Sequence, residues 1–407
     1  MKTLTFKTRK LVPLFAVALS LAMTACGDES EGRVEINDSA PAQVSDVNYT
    51  SGPGEVTLTW KIPASPSFMY SKVVYKNSKG EEVYKMYSKD HAKDGVMTET
   101  IGGFASVDPV DFNIYACSVR GNHLDATKIS ATPGAPAFLS VASSLDVASA
   151  YGGAEIHYDN TTVASVIVNV KYHLKSDVSK AGTSSFTISP NTKGSQIVSL
   201  AVGNSEFING DDAVVEVATA DVDGNSTDLK GFDVYVKKVK KIDRSNWSFP
   251  GYEDSYNPQF GYSSQEAGGE GASPKGRVIA MIDGDEGTFW HTAWKQKSSY
   301  PHFFIIDMGE EHVVTNYTIR RRGGNDKTNV GQTFYTCPAS EANGTNPEGW
   351  GWTEQGWSKF NNKIDDHQVF SANKQEKARY VKVYFAEKDK GGDFVMISEF
   401  NVYEPAE

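Results

Sequence analysis

Cysteine is scarce: Cys26, Cys117 and Cys337 are all that a chain of 407 residues contains. With no Cys-x-x-Cys and no Cys/His cluster at zinc spacing, neither a disulfide scaffold nor a structural zinc site is expected. Cys117 and Cys337 fall in different proposed domains, which argues against a bridge between them. The apolar run Leu11 to Met23 is short of the roughly 20 residues a membrane helix needs. A basic surplus is missing too: the formal net charge is −11, which argues against nucleic acid or an anionic lipid face as a partner. No segment has long helical periodicity, so mostly β structure with short helical turns is expected. Catalytic signatures are absent: there is no G-x-S-x-G, no H-E-x-x-H and no phosphate loop. Asp365 and Asp366 are adjacent, so on a strand they would point to opposite faces rather than form a facing carboxylate pair.

What is present reads as a globular chain of two or three domains, 39% hydrophobic and 22% charged. The N-terminus has the layout of a secretion signal, with Lys2, Lys7, Arg9 and Lys10 ahead of the apolar run. The run ends at Met23-Thr24-Ala25-Cys26, which resembles a bacterial lipobox. That resemblance makes residues 1–25 a lipoprotein signal peptide and Cys26 the lipidated first residue; the alternative is an ordinary signal peptide with an incidental Cys. Removing residues 1–25 takes away four positive charges and no acid, leaving the mature chain at −15. Anchoring would then come from acyl chains alone. The acidic run Gly27 to Glu31 resembles the surface-export tag of lipoproteins from Bacteroides-like bacteria; as a plain composition it is a solvated linker. Residues 26–43 form a tether.

Residues 44–132 form the first folded unit. Gly54-Glu55-Val56-Thr57-Leu58-Thr59-Trp60 alternates apolar and polar, giving a half-buried strand whose Trp enters a core. With Ser71–Tyr75, Asp111–Ala116 and the turn at Gly121-Asn122, this order resembles a fibronectin type III sandwich. Residues 133–240 form a second Ig-like sandwich, with strands at Ala154–Tyr158, Ala164–Tyr172, Gln196–Val202 and Ala213–Ala220. A weak repeat links the two. Gly54-x-Val56-x-Leu58-x-Trp60 parallels Gly152-x-Ala154-x-Ile156-x-Tyr158, and Arg120-Gly121-Asn122 parallels Asp223-Gly224-Asn225.

The stretch Val278 to Met308 organises residues 247–407. An apolar run, Val278–Ile282, leads into the acidic turn Asp283-Gly284-Asp285-Glu286-Gly287-Thr288. The cluster Trp290-His291-Thr292-Ala293-Trp294 follows, and then the strand-like run Phe303–Met308. An Asp-, Gly- and Thr-rich loop can supply hard oxygen ligands to calcium; the same composition suits an Asx-turn capped by its own amides. Aromatics and a His on loops just beyond it suit a recognition surface.

The pattern I-D-G-D-x-x-T-x-W … W … P … I-D-M-G resembles the discoidin, or coagulation-factor type C, domain, a family that includes galactose-binding-like carbohydrate-binding modules. The strands Ala378–Val383 and Ile397–Tyr403 resemble the family's closing strands. The resemblance implies an all-β chain: two tandem Ig/fibronectin-like β-sandwiches followed by a galactose-binding-like β jelly roll. It implies a structural calcium ion held by Ala280, Asp283, Asp285, Thr288 and Glu399. It also implies that His291, Arg321 and Asn325 reach a sugar, that Phe394 adds an aromatic from the last loop, and that Trp357 is a core Trp. Trp294, on a loop beside His291, suits either the core or the site. An insert, Thr336–Gly356, departs from the family pattern and leaves Trp350 and Trp352 free to be exposed and bind glycan.

The resulting expectation is a non-catalytic, lipid-anchored outer-membrane protein exposed at the surface of a Gram-negative, Bacteroides-like cell. It would bind a glycan or polysaccharide beside an outer-membrane transporter of a polysaccharide-uptake system. The alternative is an adhesin or assembly protein that binds a protein partner through its sandwiches.

Overall fold

The computed structural model describes residues 37–203, 206–256, 260–325, 329–387 and 392–406. The signal segment, Cys26 and the start of the tether lie outside the described residues. The chain is all-β.

The first unit has seven strands: β1 (Ser45–Gly52), β2 (Glu55–Lys61), β3 (Tyr70–Lys76), β4 (Glu82–Ser88), β5 (Val96–Gly102), β6 (Val110–Cys117) and β7 (Thr127–Ala131). They form two antiparallel sheets, β1-β2-β5 and β4-β3-β6-β7. The two-residue period of β2 sends Val56, Leu58 and Trp60 inward, all fully buried. The Trp60 indole N–H donates to Ser71 Oγ at 3.0 Å, so its one polar atom is satisfied inside the core.

The second unit repeats this plan. After a short helix, α1 (Ala137–Ser144), come β8 (Asp146–Ala150), β9 (Gly153–Asn160), β10 (Val166–Leu174), β11 (Asp177–Ile188), β12 (Thr192–Ser199), β13 (Asp212–Ala220) and β14 (Lys230–Tyr235). The sheets are β8-β9-β12 and β11-β10-β13-β14, the same order as in the first unit. The sequence repeat is therefore structural. Gly54 and Gly152 turn the β1–β2 and β8–β9 hairpins at φ +65° and +62°. Gly121 and Gly224 both sit at φ +87° in matching turns, where Ser118 N donates to Asn122 O and Asp221 N to Asn225 O, each at 3.0 Å.

The third unit packs the sheet β17-β22-β19-β20 against β15-β23-β18-β21, with β16 pairing to β23. Its strands are β15 (Val239–Lys241), β16 (Trp290–His291), β17 (His302–Val313), β18 (Asn316–Arg321), β19 (Gly331–Cys337), β20 (Thr353–Lys359), β21 (Gln368–Ser371), β22 (Lys377–Phe385) and β23 (Met396–Pro405). Trp290, Phe304, Tyr317, Phe334, Phe385 and Phe400 fill the space between the sheets.

One local expectation, the core placement of Trp357, differs from the structure. The apolar run Val278–Ile282 is a 3-10 turn. Between β17 and β18, Val314 N bonds Glu376 O and Thr315 N bonds Tyr403 O, so the chain crosses there from one sheet to the other. Trp357 is not a core residue but is 60% exposed. Gly356, at φ +105° and opposite Phe334, makes a bulge in β20 that turns Trp357 outward beside Thr333.

Cys117 and Cys337 are both buried free thiols. Among the described residues no helix is long and apolar enough to cross a membrane.

Candidate functional site

The turn after Ile282 is built by its own side chains. Asp283 Oδ1 accepts from Asp285 N at 2.8 Å, and Asp285 Oδ1 accepts from Gly287 N at 2.9 Å. The Thr288 hydroxyl lies 2.7 Å from Asp283 Oδ2, 2.9 Å from Asp285 O and 3.5 Å from Ala280 O. A hydroxyl has one proton to give, so three acceptors crowd one donor. Glu399, 3% exposed, comes in from β23 with Oε1 unpartnered, while Oε2 takes Arg244 Nη1 at 2.5 Å. Burial pushes the Glu399 carboxyl up; Arg244 opposes this and the nearby Asp283 charge adds to it.

Surplus oxygens and an orphaned buried carboxylate oxygen fit a hard cation such as calcium. Among the described residues no three Asp, Glu, His or Cys side chains converge. A cation would rest on the Asp283 and Glu399 carboxylates, the Thr288 hydroxyl, and the carbonyls of Ala280 and Asp285. Asp285 thus faces this point with its backbone, its carboxylate being taken by Gly287.

A second cluster forms where four loops meet above β16. The His291 ring is 8% exposed, and its Nδ1 lies 2.7 Å from Thr292 O. That contact puts the proton on Nδ1 and leaves Nε2 as an acceptor, 4.0 Å from Glu270 Oε1. Burial lowers the His291 pKa, against the pull of the Thr292 carbonyl and Glu270, so the ring is neutral at pH 7. Glu270 Oε1 accepts from Trp294 Nε1 at 3.0 Å, and Oε2 pairs with Arg322 Nη1 at 3.3 Å. The Arg322 guanidinium lies 3.9 Å from the centre of the Phe289 ring. Trp294 is 37% exposed, and Phe394 lies 5.3 Å from His291, ring to ring. Asn325 reaches the same end of the sheet, with Nδ2 3.3 Å from Met396 Sδ beside His291.

Two buried groups hold these loops. Glu266 accepts from the amides of Trp294 and Lys295 and from the Tyr256 hydroxyl. Burial would raise its pKa, but the hydrogen bonds together outweigh that and hold it low. Arg277 donates to the carbonyls of Ala267, Gly271 and Lys275, pinning the loop that carries Glu270.

The structure thus brings His291, Trp294, Asn325 and Phe394 together. Arg321 lies elsewhere. It is 4% exposed, and its guanidinium is committed to the carbonyls of Ile364, Arg322 and Asn325 and to Asp365. Its neighbour Arg322 takes the place at the rim. Trp350 and Trp352 are also apart from the cluster. They stack on each other at 5.7 Å, Trp350 lies 4.5 Å from Tyr380 ring to ring, and Lys382 sits 4.8 Å from the Trp352 ring. Sequence reasoning missed Glu270, Arg244 and Arg277. A signal for the first existed: Gly268-Gly269 precede it, and a Cβ at Gly269 would meet Trp294 Cζ2 at 2.4 Å.

Residues 260–400 match the F5/8 type C domain model. This stretch is an F5/8 type C domain. A sialidase of Micromonospora viridifaciens is 28% identical over 138 residues, which is 33% of this chain; the chain spans only 20% of that protein. Among solved structures, the C-terminal domain of a chitobiase from Bacteroides fragilis is 25% identical, with TM-score 0.33, covering 40% of this chain and 96% of that one. A SusE-like protein is 13% identical, with TM-score 0.35, over 66% of this chain and 99% of its own. A family 32 carbohydrate-binding module of C. perfringens, solved with galactose, is 17% identical, with TM-score 0.30, over 41% and 99%. The domain assignment rests on the family match.

Proposed function

We propose that the F5/8 type C domain binds glycan at the rim formed by His291, Glu270, Arg322, Trp294, Asn325 and Phe394. One observation carries the reading: Glu270 gathers the Arg322 guanidinium, the part-exposed Trp294 indole N–H and the His291 ring, whose Nδ1 is held by Thr292 O, at one rim. A sugar needs an aromatic face for its C–H surface and fixed polar groups for its hydroxyls, and this rim supplies both. Calcium, held as described, would brace the adjoining turn and take no part in chemistry. In this reading the role is binding rather than hydrolysis.

In this reading Cys26 carries the lipid, the two sandwiches act as spacers, and the chain serves a polysaccharide-uptake system at the outer surface, beside a transporter. Titrating the mature chain with a broad panel of glycans tests it. Binding that is lost in Trp294→Ala and Arg322→Ala is the expected result. Silence across the panel, or capture of a protein that survives both changes, would instead favour an adhesin.

A further inference from the structure

A cleft lies away from the rim, between the second and third units. It has a volume of about 870 Å³ and is walled by β11 and β12 on one side and β20 and β21 on the other. All four are edge strands of their sheets. An edge presents unpaired amides and carbonyls, which folded proteins normally cover or satisfy.

The floor is fixed by polar ties between the units. Gln196 and Asn373 exchange two side-chain hydrogen bonds, at 2.5 and 3.1 Å. Ser199 Oγ lies 2.5 Å from Ser371 Oγ, and Asn316 Nδ2 donates to both, at 3.2 and 3.3 Å.

Over this floor stands Trp357. One side of its indole lies against Gly331, where a Cβ would come within 2.5 Å of the ring, and 60% of the residue remains exposed. Half-buried Phe186 lines the facing wall on β11. Of the residues lining the cleft, Lys359 alone is charged; the other polar groups are hydroxyls and carboxamides. A large, shielded indole beside neutral hydroxyls, amides and open strand edges suits a ligand that is ringed, uncharged and dense in hydroxyl groups. An acidic peptide or an anionic polymer would find one cation. An apolar helix would find too little apolar surface.

We propose that this cleft is a second carbohydrate site, which takes a run of a neutral oligosaccharide with one ring stacked on Trp357. The inference does not depend on the rim, and the two can fail separately.

The test is calorimetric titration of the full mature chain with maltohexaose, cellohexaose, xylohexaose and mannohexaose. The expected result is that at least one binds. Trp357→Ala should then weaken it at least tenfold and Trp357→Phe should restore most of that loss, while Trp294→Ala with Arg322→Ala changes it less than twofold. Ser185→Arg, on an exposed position of the facing wall, should block the same sugar without touching Trp357, and it decides the matter if Trp357→Ala proves unstable. The proposal is overturned if none of the four sugars binds, or if the bound sugar is unmoved by both cleft variants.

Discussion

Arg321 and Arg322 show how one step along the chain separates two roles. Arg321, the last residue of β18, is buried under its own loop, while Arg322, just beyond the strand, faces Glu270 and the Phe289 ring. Arg321→Ala should cost about 1–3 kcal/mol of stability, because the part-buried carbonyls of Arg322 and Ile364 lose their donor; a denaturant melt measures it. Arg322→Ala and Trp294→Ala should leave the melt nearly unchanged and weaken glycan binding on the order of tenfold or more. His291 adds a pH dependence. Its folded pKa lies below its unfolded one, so its contribution to stability is present above about pH 6.5 and is lost as pH falls through the folded value. Glu270 and Glu266 draw a proton to the ring, while Arg322 and His302 oppose it. Glycan affinity should be flat from pH 8 to 7 and fall under acid conditions, where Nε2 becomes a donor. An affinity that rises on acidification would contradict the neutral-acceptor role.

At the level of elements, the acidic turn and β23 are coupled through Glu399. A carboxyl with a raised folded pKa stabilises the fold below its unfolded pKa, and that contribution is lost as pH rises through the folded value. Calcium would offset the loss by neutralising the carboxylate. Removing it with a chelator should therefore lower the melting temperature more at pH 7.5 than at pH 4.5, and Glu399→Gln should blunt the difference. Hairpin glycines give a second test. Gly54→Ala forces a left-handed alanine at a cost of about 1 kcal/mol, and brings its Cβ to 3.0 Å from the Phe104 carbonyl oxygen. Gly152→Ala should cost more, since its Cβ would also lie 2.4 Å from Asn316 Oδ1 in the third unit. A Gly152→Ala loss that is unchanged when Asn316→Ala is added would mean that this contact carries no weight.

Across the whole molecule, legibility in the sequence follows the range of the interactions. The inward faces of β2 and β9 could be read because side-chain alternation is local, and Gly54 and Gly152 mark both hairpins. The closing strands β22 and β23 could be read from their family-like wording. Glu270 could not, because it sits in a Gly-rich loop with no periodicity and reaches the rim only through Arg277. Trp357 could not, because a single extra residue, Gln355, ahead of Gly356 reverses which face it takes. Its surroundings come from strands more than a hundred residues earlier, which no local pattern encodes.

The two lone sulfurs have a practical consequence. Cys117 is 1% exposed near the end of β6 and Cys337 is fully buried at the end of β19, so each is sealed in a different unit. Burial holds both thiols up, Cys337 to about 11, so neither reacts until its surroundings open. In a Cys26→Ala protein, maleimide capture would act as two independent clocks, one timing the breathing of the first sandwich and the other that of the F5/8 type C domain. Calcium or a rim ligand should slow the second clock and leave the first running at its own pace.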